Sequence, residues 1–153
     1  MLFGRQSRHV KRILIVEDEP LVAFDNEVMV EGAGYKVVAT TDNVGDALAV
    51  IAREQKSADG EGGIDLVLTD ITLTGHRSGR DLAVECRKLG LPVLFATATP
   101  PEQAEELAVG VLMKPYNERR LKAALKAVEQ VLSGKSKVRQ PEGMILYPGS
   151  LAA

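Results

Sequence analysis

The sequence predicts an α/β fold: a five-stranded parallel sheet with helices on both faces. Three observations lead there. Short apolar runs alternate with amphipathic stretches along most of the chain. Strand and helix in strict alternation imply right-handed crossovers, and therefore parallel strands. Aromatic residues make up only 4% of the 153 residues and Trp is absent, while hydrophobic residues reach 45%. Such a chain builds its core from Val, Leu, Ile and Ala, which suits a sheet covered by helices.

The five runs are ILIV at 13–16, YKVVAT at 35–40, IDLVLT at 64–69, LPVLFA at 91–96 and GVLM at 110–113. The first, third and fourth carry apolar residues on both faces, as central parallel strands must. Between them, Leu21, Val22, Val28 and Met29 fit one helical face, as do Ala47, Leu48, Ile51 and Ala52, then Leu82, Cys86 and Leu89. The last helix has the clearest stripe, Leu121, Leu125, Val128 and Leu132, with Glu118, Arg119, Lys122, Lys126 and Glu129 toward water. The expected strand order is 2-1-3-4-5, the flavodoxin-like arrangement. Only sixteen residues separate Thr97 from Lys114. The fourth helix must therefore be short, within PPEQAEELAV, and opened by Pro100 and Pro101.

Flanking segments set the domain limits. A basic N-terminal arm at 1–11 precedes one domain at 12–133, and a tail at 134–153 follows. Residues 57–63, SADGEGG, read as a polar loop. In the tail, Pro141, Gly143, Pro148 and Gly149 punctuate a short apolar patch from Met144 to Tyr147. That tail is either docked or disordered. A net charge of −2 gives no electrostatic case for nucleic-acid or anionic-membrane partners. The four-residue run ILIV is too short for a signal-peptide core or a membrane span, so the expected compartment is the cytoplasm. Cys86 is the single cysteine and reads as a small buried hydrophobe, while His9 and His76 read as solvated.

Ligands of an open parallel sheet bind outside the carboxyl ends of its strands. There the first strand delivers Glu17, Asp18 and Glu19, the third Asp70, the fourth Thr97 and the fifth Lys114. Carboxylates gathered in a crevice repel one another unless a cation or proton neutralises them. Mg²⁺ suits the set, with Asp18 and Asp70 as direct ligands and Glu17 through water. Asp70 keeps one oxygen with which to attack phosphorus. The Lys114 ammonium and the Thr97 hydroxyl can then cover oxygens of the transferring phosphoryl group.

At these residues the chain resembles the response-regulator receiver family. The pieces that carry the resemblance are ILIVEDEP, DLVLTDI, PVLFATA and LMKPY, in order across residues 12–116. It implies Asp70 as phosphoacceptor, the Thr72 carbonyl beside Asp18 and Asp70 on Mg²⁺, and a cis peptide between Lys114 and Pro115. It also implies a histidine kinase as phosphodonor and no enzymatic activity beyond self-catalysed phosphotransfer and dephosphorylation. The string FAT, the short fourth helix and KPY further resemble the FAT GUY subgroup, although Ala98 stands where that subgroup has Gly. That likeness implies a kinase of the HWE or HisKA2 type and a role in stress- or light-linked phosphorelays, as phosphate sink or feedback regulator.

Three departures accompany the resemblance. Thr74 replaces the usual Pro, the loop to Gly79 is one residue longer than the common form, and Val111 replaces the usual aromatic switch residue. These departures keep open an alternative, a pseudo-receiver adaptor that binds partners without phosphorylation. A phosphatase of the haloacid-dehalogenase type needs a second Asp two residues after its nucleophile, but Thr72 stands there. A flavin or dinucleotide module needs a Gly- or Ser/Thr-rich phosphate loop after the first strand, and EDEP has the opposite charge.

Overall fold

The computed structural model describes residues 10–55, 59 and 62–149. His9 and the rest of the basic arm, most of the loop at 57–63, and residues 150–153 lie outside the described residues. Parallel strands β1 (Arg12–Val16), β2 (Lys36–Thr41), β3 (Leu66–Asp70), β4 (Val93–Thr97) and β5 (Gly110–Met113) lie in the order β2-β1-β3-β4-β5. A sixth strand, β6 (Met144–Leu146), pairs antiparallel with β5. The expected five-stranded, all-parallel sheet is thus corrected to a six-stranded, mostly parallel one.

Side chains alternate across the sheet and build two cores. Ile13, Ile15, Leu66, Leu68, Leu94 and Leu112 pack on one face with Leu121, Leu125 and Val128 of helix α4 (Glu118–Leu132) and Val30 of helix α1 (Pro20–Gly32). Leu14, Val16, Val67, Phe95 and Val111 pack on the other with Ala47 of helix α2 (Val44–Arg53) and Leu82 and Cys86 of helix α3 (Gly79–Lys88). Local signals start these helices. Pro20 opens α1, and the Asn43 and Asn117 side chains accept the amides of Asp46 and Arg120 at α2 and α4. Ser78 and Asp81 form a capping box at α3. The Cys86 thiol is pushed up to about 12 by burial and then by Glu85, which keeps it protonated and inert.

Three sequence expectations change. The short fourth helix is a single 3₁₀ turn, Ala104–Glu106. It begins after Gln103, whose φ of 55° breaks the helical path, and not at Pro100. On α1, Leu21 and Val28 are 81% and 52% exposed, while Asn26 and Val30 are buried. The helix turns inward the face on which Asn26 accepts a 2.6 Å hydrogen bond from the Tyr116 hydroxyl. Leu89 is also exposed, because it lies at the C-cap of α3 where the stripe runs out.

The tail answers the shortened segment between β4 and β5. Met144 and Leu146 enter the α1/α4 core, whereas Ile145 and Tyr147 pack against the opposite core, the cluster that includes Ala104 of the 3₁₀ turn. The Tyr147 amide donates to the Val109 carbonyl at 2.9 Å, and the Met113 amide to the Gly143 carbonyl at 2.8 Å. Gln140 Oε1 accepts the Leu146 amide at 2.9 Å, which blunts the outer edge of β6. This pairing depends on Gly110, where an added Cβ would stand 2.7 Å from the Ile145 carbonyl oxygen and 2.9 Å from Met144 Cε. Gly110→Ala is therefore predicted to cost about 1–3 kcal/mol of overpacking and to strip hydrogen-exchange protection from the Ile145 and Tyr147 amides. Unchanged protection there would contradict the packing described.

Candidate functional site

The parallel register aligns the carboxyl ends of β1, β3, β4 and β5 at one edge, and the chain places its polar groups there. Glu17 and Asp18 leave β1, Asp70 ends β3, Thr97 ends β4, and Lys114 follows β5. One carboxylate oxygen from each of Glu17, Asp18 and Asp70 lies within 4.8 Å of the other two. Glu19 is exposed and stays outside this group.

Lys114 holds the cluster together. Its Nζ donates to Glu17 Oε1 at 2.9 Å and to Asp70 Oδ2 at 2.8 Å. Glu17 is only 3% exposed, so it needs donors for both oxygens, and the Glu19 amide supplies the second at 3.1 Å. Burial alone would lower the Lys114 pKa, but its hydrogen bonds and charge contacts with Asp70 and Glu17 outweigh burial and raise it. The ammonium is therefore charged at neutral pH. Tyr116, two residues on, donates to buried Asn26 and fixes the chain that follows the lysine. Burial pushes its phenol up to about 12, so it remains a donor. The Lys114–Pro115 peptide is cis, as the resemblance implies.

Asp70 has its own support. The Thr72 amide donates to Asp70 Oδ1 at 3.2 Å, and Thr72 lies in the loop between β3 and α3. The first residue of α3, Gly79, packs on the Asp70 backbone, where an added Cβ would stand 2.0 Å from the Asp70 carbonyl oxygen. Only glycine fits so close an approach. The Lys114 amide donates to the Thr97 carbonyl at 2.8 Å, which ties the fourth and fifth strand ends together. The Thr97 hydroxyl accepts from the Thr99 amide at 3.3 Å. Thr97 thus shares the edge without joining the hydrogen-bonded carboxylate cluster. His76 lies exposed in the β3–α3 loop.

Sequence reasoning missed two residues here. Thr74 Oγ1 donates to Asp18 Oδ2 at 2.7 Å, a contact between residues 56 apart. Its only sequence signal was the departure from Pro. Gly79 was visible merely as the end of that loop, because a glycine before a helix reads first as a cap.

Three carboxylates against one ammonium leave excess negative charge. Two like charges no more than 4.8 Å apart repel by at least about 3 kcal/mol at an effective dielectric constant of about 20. An all-oxygen donor set with residual negative charge fits a hard divalent cation such as Mg²⁺. Glu17, Asp18 and Asp70 are the residues that would hold it.

This chain belongs to the response regulator receiver domain family, whose model matches residues 13–126. Receiver domains generally use Mg²⁺ at an acidic pocket of this kind. The chain is 36% identical over 89 residues to the phyllosphere-induced regulator PhyR of Methylorubrum extorquens, covering 58% of this chain and 31% of that protein. It is 32% identical over 132 residues to protein PilH of Pseudomonas aeruginosa, covering 80% of this chain and 98% of PilH. The match thus spans about a third of PhyR and nearly all of PilH. Among solved structures, the response regulator PhyR of Brucella abortus superposes with a TM-score of 0.61 at 33% identity, over 82% of this chain and 49% of that one. The chemotaxis response regulator CheY4 of Vibrio cholerae, at 22% identity and a TM-score of 0.63 over 78% of this chain and 99% of that one, shares the fold. Among the described residues no helix is long and apolar enough to cross a membrane.

The electrostatics of the cluster predict the effect of removing its cation. Lys114→Met strands buried Glu17 without its charged partner and should destabilise the Mg²⁺-free protein by about 3 kcal/mol in urea unfolding with EDTA present. A midpoint equal to wild type would mean that Lys114 does not neutralise the cluster.

Proposed function

We propose that the chain is a phosphoacceptor signalling protein and not an enzyme acting on an outside substrate: Asp70 accepts a phosphoryl group from the histidine of a partner kinase. The observation that carries this reading is the Lys114 ammonium, 2.8 Å from Asp70 and 2.9 Å from Glu17, at the edge where three carboxylates meet. One Asp70 carboxylate oxygen forms the new P–O bond as the P–N bond to the donor histidine breaks, leaving the electron pair on the imidazole nitrogen. Asp18, Asp70 and the Thr72 carbonyl, with Glu17 through water, would hold Mg²⁺, which when bound would supply positive charge to the phosphoryl oxygens. Lys114 covers a second oxygen, and the Thr97 hydroxyl a third.

The likeness to PhyR and the FAT, KPY and shortened-helix features support membership of the FAT GUY subgroup and a kinase of the HWE or HisKA2 type. The setting we assign is a cytoplasmic phosphorelay linked to stress signalling, with output by protein contact or by draining phosphate. PhyR of one solved structure is described as a stress response regulator. The test is phosphotransfer from an autophosphorylated histidine kinase to wild type and to Asp70→Asn, with Mg²⁺ and with EDTA. Label on wild type alone, and only with Mg²⁺, is the expected result. No label across several kinases despite measurable Mg²⁺ binding would favour the adaptor that signals by docking alone.

A further inference from the structure

We infer that Thr74 is a positioning residue for the metal ligands: its hydroxyl holds the Asp18 carboxylate and ties down the loop that carries Thr72. The inference rests on the Mg²⁺ reading of the acidic cluster given above.

Each of the three carboxylates has a donor. Lys114 serves Glu17 and Asp70, backbone amides serve both again, and Asp18 receives its hydrogen bond from Thr74. At 2.7 Å the bond has the length expected for a hydroxyl on an ionised carboxylate. It engages Asp18 Oδ2 and leaves Oδ1 available to a cation. Partners of this kind fix the rotamer of a ligating carboxylate, and their loss weakens metal binding.

The same bond spans the site. Asp18 lies between β1 and α1, and Thr74 lies between β3 and α3, so the hydroxyl pins one loop to the other. Thr72, whose carbonyl the family resemblance assigns to the metal, is two residues before Thr74. A proline at position 74, usual in the family, would stiffen this loop by fixing φ. Here the position is Thr, and Gly75 follows with φ of 103°, a conformation open to few other residues. Such a loop needs a tether, and the Thr74 hydroxyl is placed to be one.

Isothermal titration of the full chain with Mg²⁺ tests this, with wild type, Thr74→Val and Thr74→Ser compared and the melting temperature of each measured in EDTA. Thr74→Val removes the hydroxyl at nearly constant volume and should weaken Mg²⁺ binding about tenfold. Thr74→Ser should restore it, and the melting temperatures in EDTA should agree, since Thr74 is exposed. Wild-type binding with equal or tighter affinity in Thr74→Val would overturn the inference and leave the metal reading intact. No binding to wild type would overturn the metal reading itself, and this inference with it.

Discussion

Lys114 bridges Glu17 and Asp70, and most of what the fold provides at this edge serves to bring those three groups together. The bridge joins the ends of β1, β3 and β5, which the parallel sheet holds in register but which are far apart in sequence. Without the ammonium, a buried glutamate and two neighbouring carboxylates would repel one another, and the site would work against the fold. Tyr116 and Asn26 anchor the backbone just beyond the lysine, and the Thr97 carbonyl anchors the lysine's own amide. The arrangement leaves a cluster that is stable yet short of positive charge, which suits a divalent cation.

The β5 side of the molecule is built differently from the plain five-stranded plan. A single 3₁₀ turn replaces a helix, and β6 from the tail fills the space with Ile145 and Tyr147 while sending Met144 and Leu146 to the other core. Val111, which stands where the family usually has an aromatic switch residue, is fully buried and faces Ile145 across the β5–β6 pair. A large mobile aromatic at that position would compete with the tail for the same space. The edge strand, the shortened segment and the small residue at 111 are therefore consistent with one another.

The parts legible in the sequence were those that depend on local pattern. ILIV, IDLVLT and LPVLFA are long enough to mark buried strands, and in a parallel sheet the residues that follow such runs fall at one edge. That logic brings Glu17, Asp18, Asp70 and Lys114 together from the sequence alone. The parts that escaped depend on tertiary contact. The three residues of β6 are too few to signal a strand, and their pairing requires Gly110, which sits 34 positions earlier than Met144. On α1, the apolar residues Leu21 and Val28 suggested the wrong inward face, because the polar Asn26 is drawn into the core by Tyr116, far along the chain. Thr74 read as a missing proline, since nothing local reveals a hydroxyl meeting a carboxylate on another loop.

We propose that the cluster bridged by Lys114 takes a phosphoryl group at Asp70 with Mg²⁺ bound. The most direct measurement is the amide NMR spectrum of wild type and Asp70→Asn with Mg²⁺ and beryllofluoride, a tetrahedral mimic of the bound phosphoryl group. Shifts are expected in wild type at Ile71–Thr74, at Ala98 and Thr99, and at Lys114, with none of them in Asp70→Asn or in EDTA. Wild-type and Asp70→Asn spectra that respond alike would contradict it.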